Sequence, residues 1–419
     1  MKDKEKSRPE WNLRCCRCDR SYSWEIRIDG CPECRKRGHI GLLSCQFSPI
    51  ERPAPLQNRK SHGMADFADL LTPPESAEII WSGAGNTPLV RSQKIGPALG
   101  MDNLYFKLEG SNPSGSFKDR YVAVSLGIAK NAGYERVVVS STGNLGISVA
   151  LYAKAYNIPC IVLFPDGTPS AMLENASEHG ANLLATSWDG RQTLFEYIAD
   201  KAGWFPVGLF LNRSVQNPYG IEGYKTFAYE LLSDLGTSPD LVLFPCARGN
   251  GLYGAWKGFM ESREWGWCSK VPRMIGCQPI GADSLRVSIE RKTKYAVELP
   301  PIKSVAFSTM ETVACDQTLE AIRQSDGSAH SAAESEILEA VDQLSTEGIS
   351  VEASSAIPVA CLSYLSQYYQ LDKKSVVVCV LTACQRNFNA KSCDSIFFRR
   401  IDPLEDQLDD YLRNQGIIN

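Results

Sequence analysis

The sequence predicts an α/β protein built on doubly wound, open parallel sheets, with a small cysteine-rich, metal-binding segment in front. Three observations predict it. From Val137 onward, short apolar and β-branched runs alternate with amphipathic stretches, the pattern of parallel strands covered by helices on both faces. Cys15 and Cys18 form one C-x-x-C pair, and Cys31 and Cys34 another. The chain has 419 residues, 43% of them hydrophobic, enough at roughly 100–200 residues per domain for two or three domains with full cores.

Charge and composition exclude several classes. Lys+Arg 44 against Asp+Glu 48 leaves a net charge of -4, and the pI is about 5.8, which argues against a chain that grips nucleic acid or an anionic membrane. No apolar run approaches the roughly 18–20 residues that span a bilayer, and the opening stretch Met1 to Glu10 is charged. A cytoplasmic protein is expected, with its 15 cysteines serving as thiols and metal ligands rather than as a disulfide framework.

At the N-terminus, the knuckles Cys15-x-x-Cys18 and Cys31-x-x-Cys34 supply four thiolates, a closed tetrahedral set that orders a segment too short for its own core and leaves no open position for catalysis. A structural zinc-ribbon-like segment is therefore expected. Cys16 and Cys45 are spare thiols, and His39 reads as a surface residue. The basic run Arg35-Lys36-Arg37 is either a solvated face or a contact surface. Pro53, Pro55, Pro73 and Pro74 mark a linker, with one helical turn at Met64 to Leu71.

Strands are then expected at Val137 to Val139, Cys160 to Phe164, Leu183 to Ala185, Leu209 to Leu211 and Leu241 to Phe244, with Ser375 to Leu381 a late buried strand. Helices alternate with them at Leu145 to Tyr156, Ser170 to His179, Gln192 to Ala202, Gly223 to Leu235 and Leu252 to Glu264. The Ser/Ala/Glu-rich stretch Ser325 to Ser335 reads as a loop leading into a helix.

Ligands of doubly wound sheets lie at strand carboxyl ends, and four segments there carry chemistry. Ser114 to Arg120 delivers Lys118 at a helix start, where it is either a surface charge or an amine with a lowered pKa suited to Schiff bases. Ser140-Ser141-Thr142-Gly143-Asn144 follows a strand, and either caps the next helix or holds a carboxylate on unpaired N–H groups. Pro245-Cys246-Ala247-Arg248-Gly249-Asn250-Gly251 is a tight turn or a phosphate cradle. Thr382 ends the last buried strand.

In this order and spacing the segments resemble the fold-type II pyridoxal-phosphate enzymes, the architecture of the tryptophan synthase β chain, and most closely the threonine synthase group. The resemblance also rests on Gly85-Asn86-Thr87-Pro88-Leu89-Val90, Leu108-Glu109-Gly110, Asn112-Pro113, Asn217-Pro218, Glu222-Gly223, Lys225-Thr226, Trp256-Lys257-Gly258 and Gly348-Ile349 with Glu352. Several members open with a similar cysteine ribbon. The resemblance implies that Lys118 holds pyridoxal 5'-phosphate as a Schiff base, that Asn144 hydrogen-bonds the ring phenolic oxygen, and that Ala247, Arg248, Gly249, Asn250 and Gly251 take the cofactor phosphate. It places Thr382 at the pyridine nitrogen and Ser141, Thr142 and Gly143 at the substrate carboxylate. Its domain plan is 1–47 ribbon, 48–84 wrapping arm, 85–124 with 212–400 a large cofactor-binding domain, 125–211 a small mobile domain and 401–419 a tail. A homodimer is implied, with no nucleic-acid or membrane partner.

The implied activity is a lyase or synthase of amino-acid biosynthesis, eliminating or replacing a group at the β or γ carbon of an activated amino acid. Conversion of O-phosphohomoserine to threonine is one candidate. Dehydration of serine or threonine and a cysteate synthase-like β-replacement on phosphoserine are others, because the group's usual phosphate-binding arginine and small polar residue stand here as Gly220 and Val215. Arg248, Arg213 and Arg386 are the cations available to replace them. A catalytically silent zinc-ribbon binding protein is the reading from another class.

Overall fold

The computed structural model describes residues 10–49, 51–56, 59, 63–73, 83–141, 143–168, 170–187, 190–211, 214–385, 399–400, 410 and 413–414. Strands β1 (Glu10–Cys15), β2 (Ser21–Ser23) and β3 (Leu43–Ser48) form an antiparallel sheet in the order β2-β1-β3. The short helix Pro32–Lys36, with proline in its first turn, brings the second knuckle back beside the first. The 3₁₀ turn Met64–Leu70 buries Met64, Phe67 and Leu70, as the spacing of its apolar residues predicts.

Two parallel sheets make the body. The six-stranded sheet starts with β4 (Leu89–Arg91) and β5 (Asn103–Leu108). The five-stranded sheet uses β6 (Val137–Ser140), β7 (Cys160–Pro165), β8 (Asn182–Thr186) and β9 (Phe205–Pro206). A separate hairpin follows, of β10 (Gly208–Leu211) and β11 (Ser214–Gln216). Strands β12 (Leu241–Pro245), β13 (Arg273–Pro279), β14 (Ser328–Ala332) and β15 (Val376–Leu381) complete the larger sheet in the order β14-β13-β12-β15-β5-β4. Only its edge strand β4 runs antiparallel, paired with β5. β16 (Arg399–Arg400) joins the other sheet, ordered β16-β8-β7-β6-β9. Every residue of β7 and β12 is buried, which is why both read as unbroken apolar runs rather than as alternations.

Two expectations are corrected. Leu209 to Leu211 lies in the antiparallel hairpin, and the parallel strand beside β6 is instead Phe205–Pro206. Part of the stretch Ser325 to Ser335 is the edge strand β14, parallel to β13. Its Ser-Ala-His-Ser-Ala sequence buries few large apolar groups, so composition hides it. Among the described residues no helix is long and apolar enough to cross a membrane.

The helix Lys118–Asn131 is buried from Asp119 to Ala129 and packs on the helices Asn144–Tyr156 and Pro218–Ile221. Its first turn is held by Asp119, whose Oδ2 accepts from Ser114 N at 2.7 Å and Oδ1 from Ser148 Oγ at 2.6 Å. Arg120 then lies in a buried network: it donates to Glu109 at 2.8 Å and to Glu230 at 2.7 Å. Burial pushes the Glu230 carboxyl up, but the charge and hydrogen bonds of Arg120, the Lys107 charge and a backbone bond from Asn86 together outweigh it and the group falls to about 2. Breaking one partner of such a buried set costs about 3–5 kcal/mol, because it strands the remaining charge.

Candidate active site

The turn before Lys118 is built onto the end of β15. Phe117 N donates to Thr382 O at 2.9 Å, Cys384 N donates to Gly115 O at 3.1 Å, and Ser116 bridges Ala383. These bonds set Thr382 against the residues that deliver the lysine. The Lys118 ammonium lies 4.4 Å from the centre of the Phe117 ring. Burial draws the amine down from its ordinary value to about 8, partly opposed by the charge of Glu311, so a usable share of free amine exists near neutral pH.

The glycine turn after β12 also packs against Phe117. After β12 the chain turns through Gly249, in the left-handed region at φ 83°, into the helix Asn250–Glu264, whose N-terminus has no side-chain cap. A Cβ on Gly249 would come within 2.7 Å of Thr318 Oγ1, and one on Gly251 within 2.5 Å of Phe117 Cε2. Only glycine fits at either place, and a helix N-terminus of this kind favours an anion. The carbonyl of Ala247 accepts from Gln278, and that of Arg248 from Cys315 N at 2.9 Å and Thr318 Oγ1 at 3.0 Å. Asn250 is buried, with the Cys315 thiol 3.4 Å from its Oδ1.

The segment Ser140 to Asn144 leads into the next helix. The helix Asn144–Tyr156 begins at Gly143 without any side-chain cap, and Ser141 Oγ instead accepts from Gly143 N at 3.2 Å. The space where a Gly143 side chain would stand is empty to 4 Å. Asn144 Nδ2 donates to both oxygens of Glu352, at 3.2 and 3.1 Å, while its Oδ1 is buried without a hydrogen-bond partner among the described residues. Thr382 and Ser355 pair their hydroxyls at 3.0 Å, and Ala383 N donates to Ser355 Oγ at 2.9 Å. Thr142, Arg213 and Arg386 lie outside the described residues.

Sequence reasoning gave Ser355 and Glu311 no role and Glu352 only a motif place. The contacts of Glu352 and Ser355 join segments far apart in the chain, and only the Gly348-Ile349 run with Glu352 signals the first of them. Pyridoxal phosphate fits what is present: a buried amine, a glycine turn leading into a helix N-terminus, a hydroxyl pair and an amide whose oxygen has no partner among the described residues.

The ribbon sulfurs form a second constellation. Sγ of Cys15, Cys18, Cys31 and Cys34 all lie within 4.8 Å of one another, with Cys15 to Cys34 and Cys18 to Cys31 each 3.7 Å apart. A tetrahedron with zinc–sulfur bonds near 2.3 Å has edges of about 3.8 Å, so the sulfurs already suit it. Gly41 leaves room for them, since a Cβ there would lie 2.7 Å from Cys34 Sγ. The ribbon rests on the body through Tyr219, which donates to Glu25 O at 2.5 Å and accepts from Arg27 N at 2.6 Å. His39 is exposed, and Arg35 and Lys36 pair with Asp29 and Glu33.

A buried lysine at a helix start tied to the end of the last strand of a largely parallel sheet, with a glycine turn packed against the neighbouring Phe117, accords with an α/β enzyme of the fold-type II kind. Residues 80–383 match the family model described as pyridoxal-phosphate dependent enzyme. The chain is 31% identical to the threonine synthase of Methanocaldococcus jannaschii, over 88% of this chain and 91% of that one. It is 34% identical to the threonine synthase of Synechocystis sp., over 71% and 76%. Among solved structures, maize serine racemase aligns with a TM-score of 0.65 at 20% identity, covering 82% of this chain and 97% of that chain. The processed threonine deaminase isoform 2 of Solanum lycopersicum aligns with 0.65 at 19% identity, covering 81% and 96%. The chain belongs to the pyridoxal-phosphate dependent enzyme family, as a threonine synthase-like lyase or synthase.

Proposed function

We propose that the protein eliminates or replaces a group at the β or γ carbon of an activated amino acid, with Lys118 as both anchor and base. The observation that carries this is the placement of Lys118: a buried amine drawn down to about 8, at the start of a helix tied to Thr382. Bound pyridoxal phosphate would supply the electron sink that makes the substrate α-proton removable. Lys118, released from its anchoring role, would take that proton on its ε-amine as general base. The cradle Ala247 to Gly251 would take the cofactor phosphate at the N-terminus of the helix Asn250–Glu264.

The open N-terminus at Gly143, with Ser141 and Thr142 before it, receives the substrate carboxylate on the same physical grounds. Thr382 would hold the pyridine nitrogen of the bound cofactor with its hydroxyl, which is paired to Ser355. A hydroxyl partner leaves that nitrogen neutral and suits chemistry at the side chain. In the same proposal Cys15, Cys18, Cys31 and Cys34 hold one structural zinc, supported by the 3.7 Å sulfur spacings. The enzyme works in the cytoplasm as a homodimer, the latter supported by the exposed rings of Tyr364 and Tyr368, which pack on the half-buried His330.

The relatives named threonine synthase favour O-phosphohomoserine as substrate, while Gly220 and Val215 favour serine, threonine or phosphoserine. Cofactor-loaded protein incubated with each amino acid, followed by amino-acid analysis with phosphate and keto-acid assays, decides between them. Threonine with matching phosphate from O-phospho-L-homoserine is the outcome for a threonine synthase. A keto acid from serine or threonine marks a dehydratase. Turnover of none, by protein that carries the cofactor, would sink the reading.

A further inference from the structure

The hydroxyl pair at the end of the last strand has a direction. Ser355 lies in the first turn of the helix Ala353–Ala360 and is fully buried. Its Oγ accepts from Ala383 N at 2.9 Å and lies 3.0 Å from Thr382 Oγ1, and among the described residues it has no other hydrogen-bond partner. A serine hydroxyl carries one hydrogen and two lone pairs, so a lone pair meets Ala383 and the hydrogen has the Thr382 oxygen as its acceptor. Turned elsewhere, it would be a buried donor with nothing to bond, the costly state for a polar group out of water.

Thr382 is thereby the acceptor of the pair, and its own hydrogen is left over. The backbone at this point is fixed, because Thr382 O accepts from Phe117 N at 2.9 Å and Ala383 is bridged to Ser116. Only the hydroxyl itself turns, and among the described residues it meets no partner but Ser355. A hydroxyl that already accepts one hydrogen bond is polarised towards donating the next.

We infer that Ser355 is a positioning residue for the cofactor ring: the chain of bonds from Ala383 N through Ser355 Oγ to Thr382 Oγ1 presents the Thr382 hydrogen as a donor to an unprotonated pyridine nitrogen. The inference rests on the reading of Thr382 as the partner of that nitrogen. It adds that the strand-end hydroxyl is oriented by a residue 27 positions away. That residue sits on the same helix start whose Glu352 holds Asn144, so one short segment sets both polar partners proposed for the ring.

The test uses the full chain reconstituted with pyridoxal phosphate carrying nitrogen-15 in its ring, and reads the nitrogen chemical shift together with the cofactor dissociation constant. Wild-type protein should show an unprotonated, hydrogen-bonded nitrogen. Ser355→Ala should move the shift towards that of an unbonded nitrogen and weaken the cofactor about 3- to 10-fold, the worth of one neutral hydrogen bond. Ser355→Cys, which fills the same space with a weaker donor, should move the shift the same way by less, and serves if Ser355→Ala does not fold. Either substitution also alters the acceptor of Ala383 N, so each is repeated in Thr382→Val, where the shift should no longer respond and the loss of affinity should be smaller. An unmoved shift in the Ser355 variants, with equal affinity losses in the two backgrounds, reduces Ser355 to packing and overturns the inference. A protonated nitrogen in wild-type protein overturns it too, because Thr382 would then accept from the ring. Wild-type protein that takes up no cofactor overturns the reading of Lys118 and Thr382 as cofactor ligands, and the role of Ser355 with it.

Discussion

Gly220 lies flat against the ring of Tyr121: a Cβ built on it would stand 2.5 Å from Tyr121 Cδ2 and closer still to Cε2 and to Ser125 Oγ. Tyr121 is fully buried, donates its hydroxyl to Val207 O, and accepts from Asn217 N at 3.0 Å. The place after Asn217-Pro218 where the threonine synthase pattern carries an arginine is therefore filled by this chain's own aromatic ring. Gly220→Arg should not restore an anchor. It should cost about 3 kcal/mol or more by overpacking, read as a lower urea midpoint. Gly220→Arg combined with Tyr121→Ala should recover part of that loss. Wild-type stability in the single variant would contradict the packing.

The buried amine of Lys118 makes a pH prediction with a definite sign. Its folded-state pKa is lowered from the ordinary 10.5 to about 8, so below about pH 8 both folded and unfolded chains hold the proton and the apo-protein bears the full burial cost. That cost fades as pH rises towards 10.5, where the unfolded lysine also loses its proton. Lys118→Met should accordingly stabilise the apo-protein at neutral pH, with the advantage gone near pH 10.5. The rate of cofactor loading should rise with a midpoint near pH 8 in wild-type protein, and at lower pH in Glu311→Gln, because Glu311 favours the charged amine. A loading midpoint near 10.5 would contradict the burial of the amine.

The parts of this molecule legible in its sequence are those whose signal is local. Val137 to Val139, Cys160 to Phe164 and Leu241 to Phe244 are apolar because both faces of their sheets are covered, and each falls within an observed strand. Lys118 and Gly249 stand out because a helix start and a left-handed turn demand particular residues. What could not be read is set by distance along the chain. Asn144 meets Glu352 across 208 positions, and Arg248 meets Glu311 across the β13 crossover. Tyr121 reads as an ordinary aromatic in a helix until Gly220 is folded against it.

The ribbon should matter to the cofactor site, because it grips the helix that the cradle begins. Lys257 donates to Cys45 O at 2.7 Å and Tyr253 to Ser44 Oγ at 2.8 Å, both from the helix Asn250–Glu264. Gln317, one residue from the Thr318 that abuts Gly249, donates to Leu43 O at 3.1 Å. Purified protein should carry about one zinc per chain by emission spectroscopy. Stripping it with a chelator, or Cys34→Ser, should lower the melting temperature and weaken cofactor affinity together. Zinc loss that lowers the melting temperature but leaves cofactor affinity intact would show that the grip does not reach the cradle.

Glu352 fixes the amide that is proposed to meet the ring. Its carboxylate accepts from Asn144 Nδ2 through both oxygens, and its own backbone is tied to the end of the last strand by the Val351 to Cys384 bridge. Asn144 and Thr382 are thereby held in register with each other, though they sit on different sheets. Removing either member should free the other, so Asn144→Ala and Glu352→Ala should each weaken cofactor binding. The double variant should be little worse than the poorer single one, with a coupling of about 1–2 kcal/mol. Glu352→Gln keeps one acceptor oxygen and should lie between wild type and Glu352→Ala. A double-mutant cycle on the cofactor dissociation constant measures this, and strictly additive losses would mean that Glu352 acts on the site by some route other than Asn144.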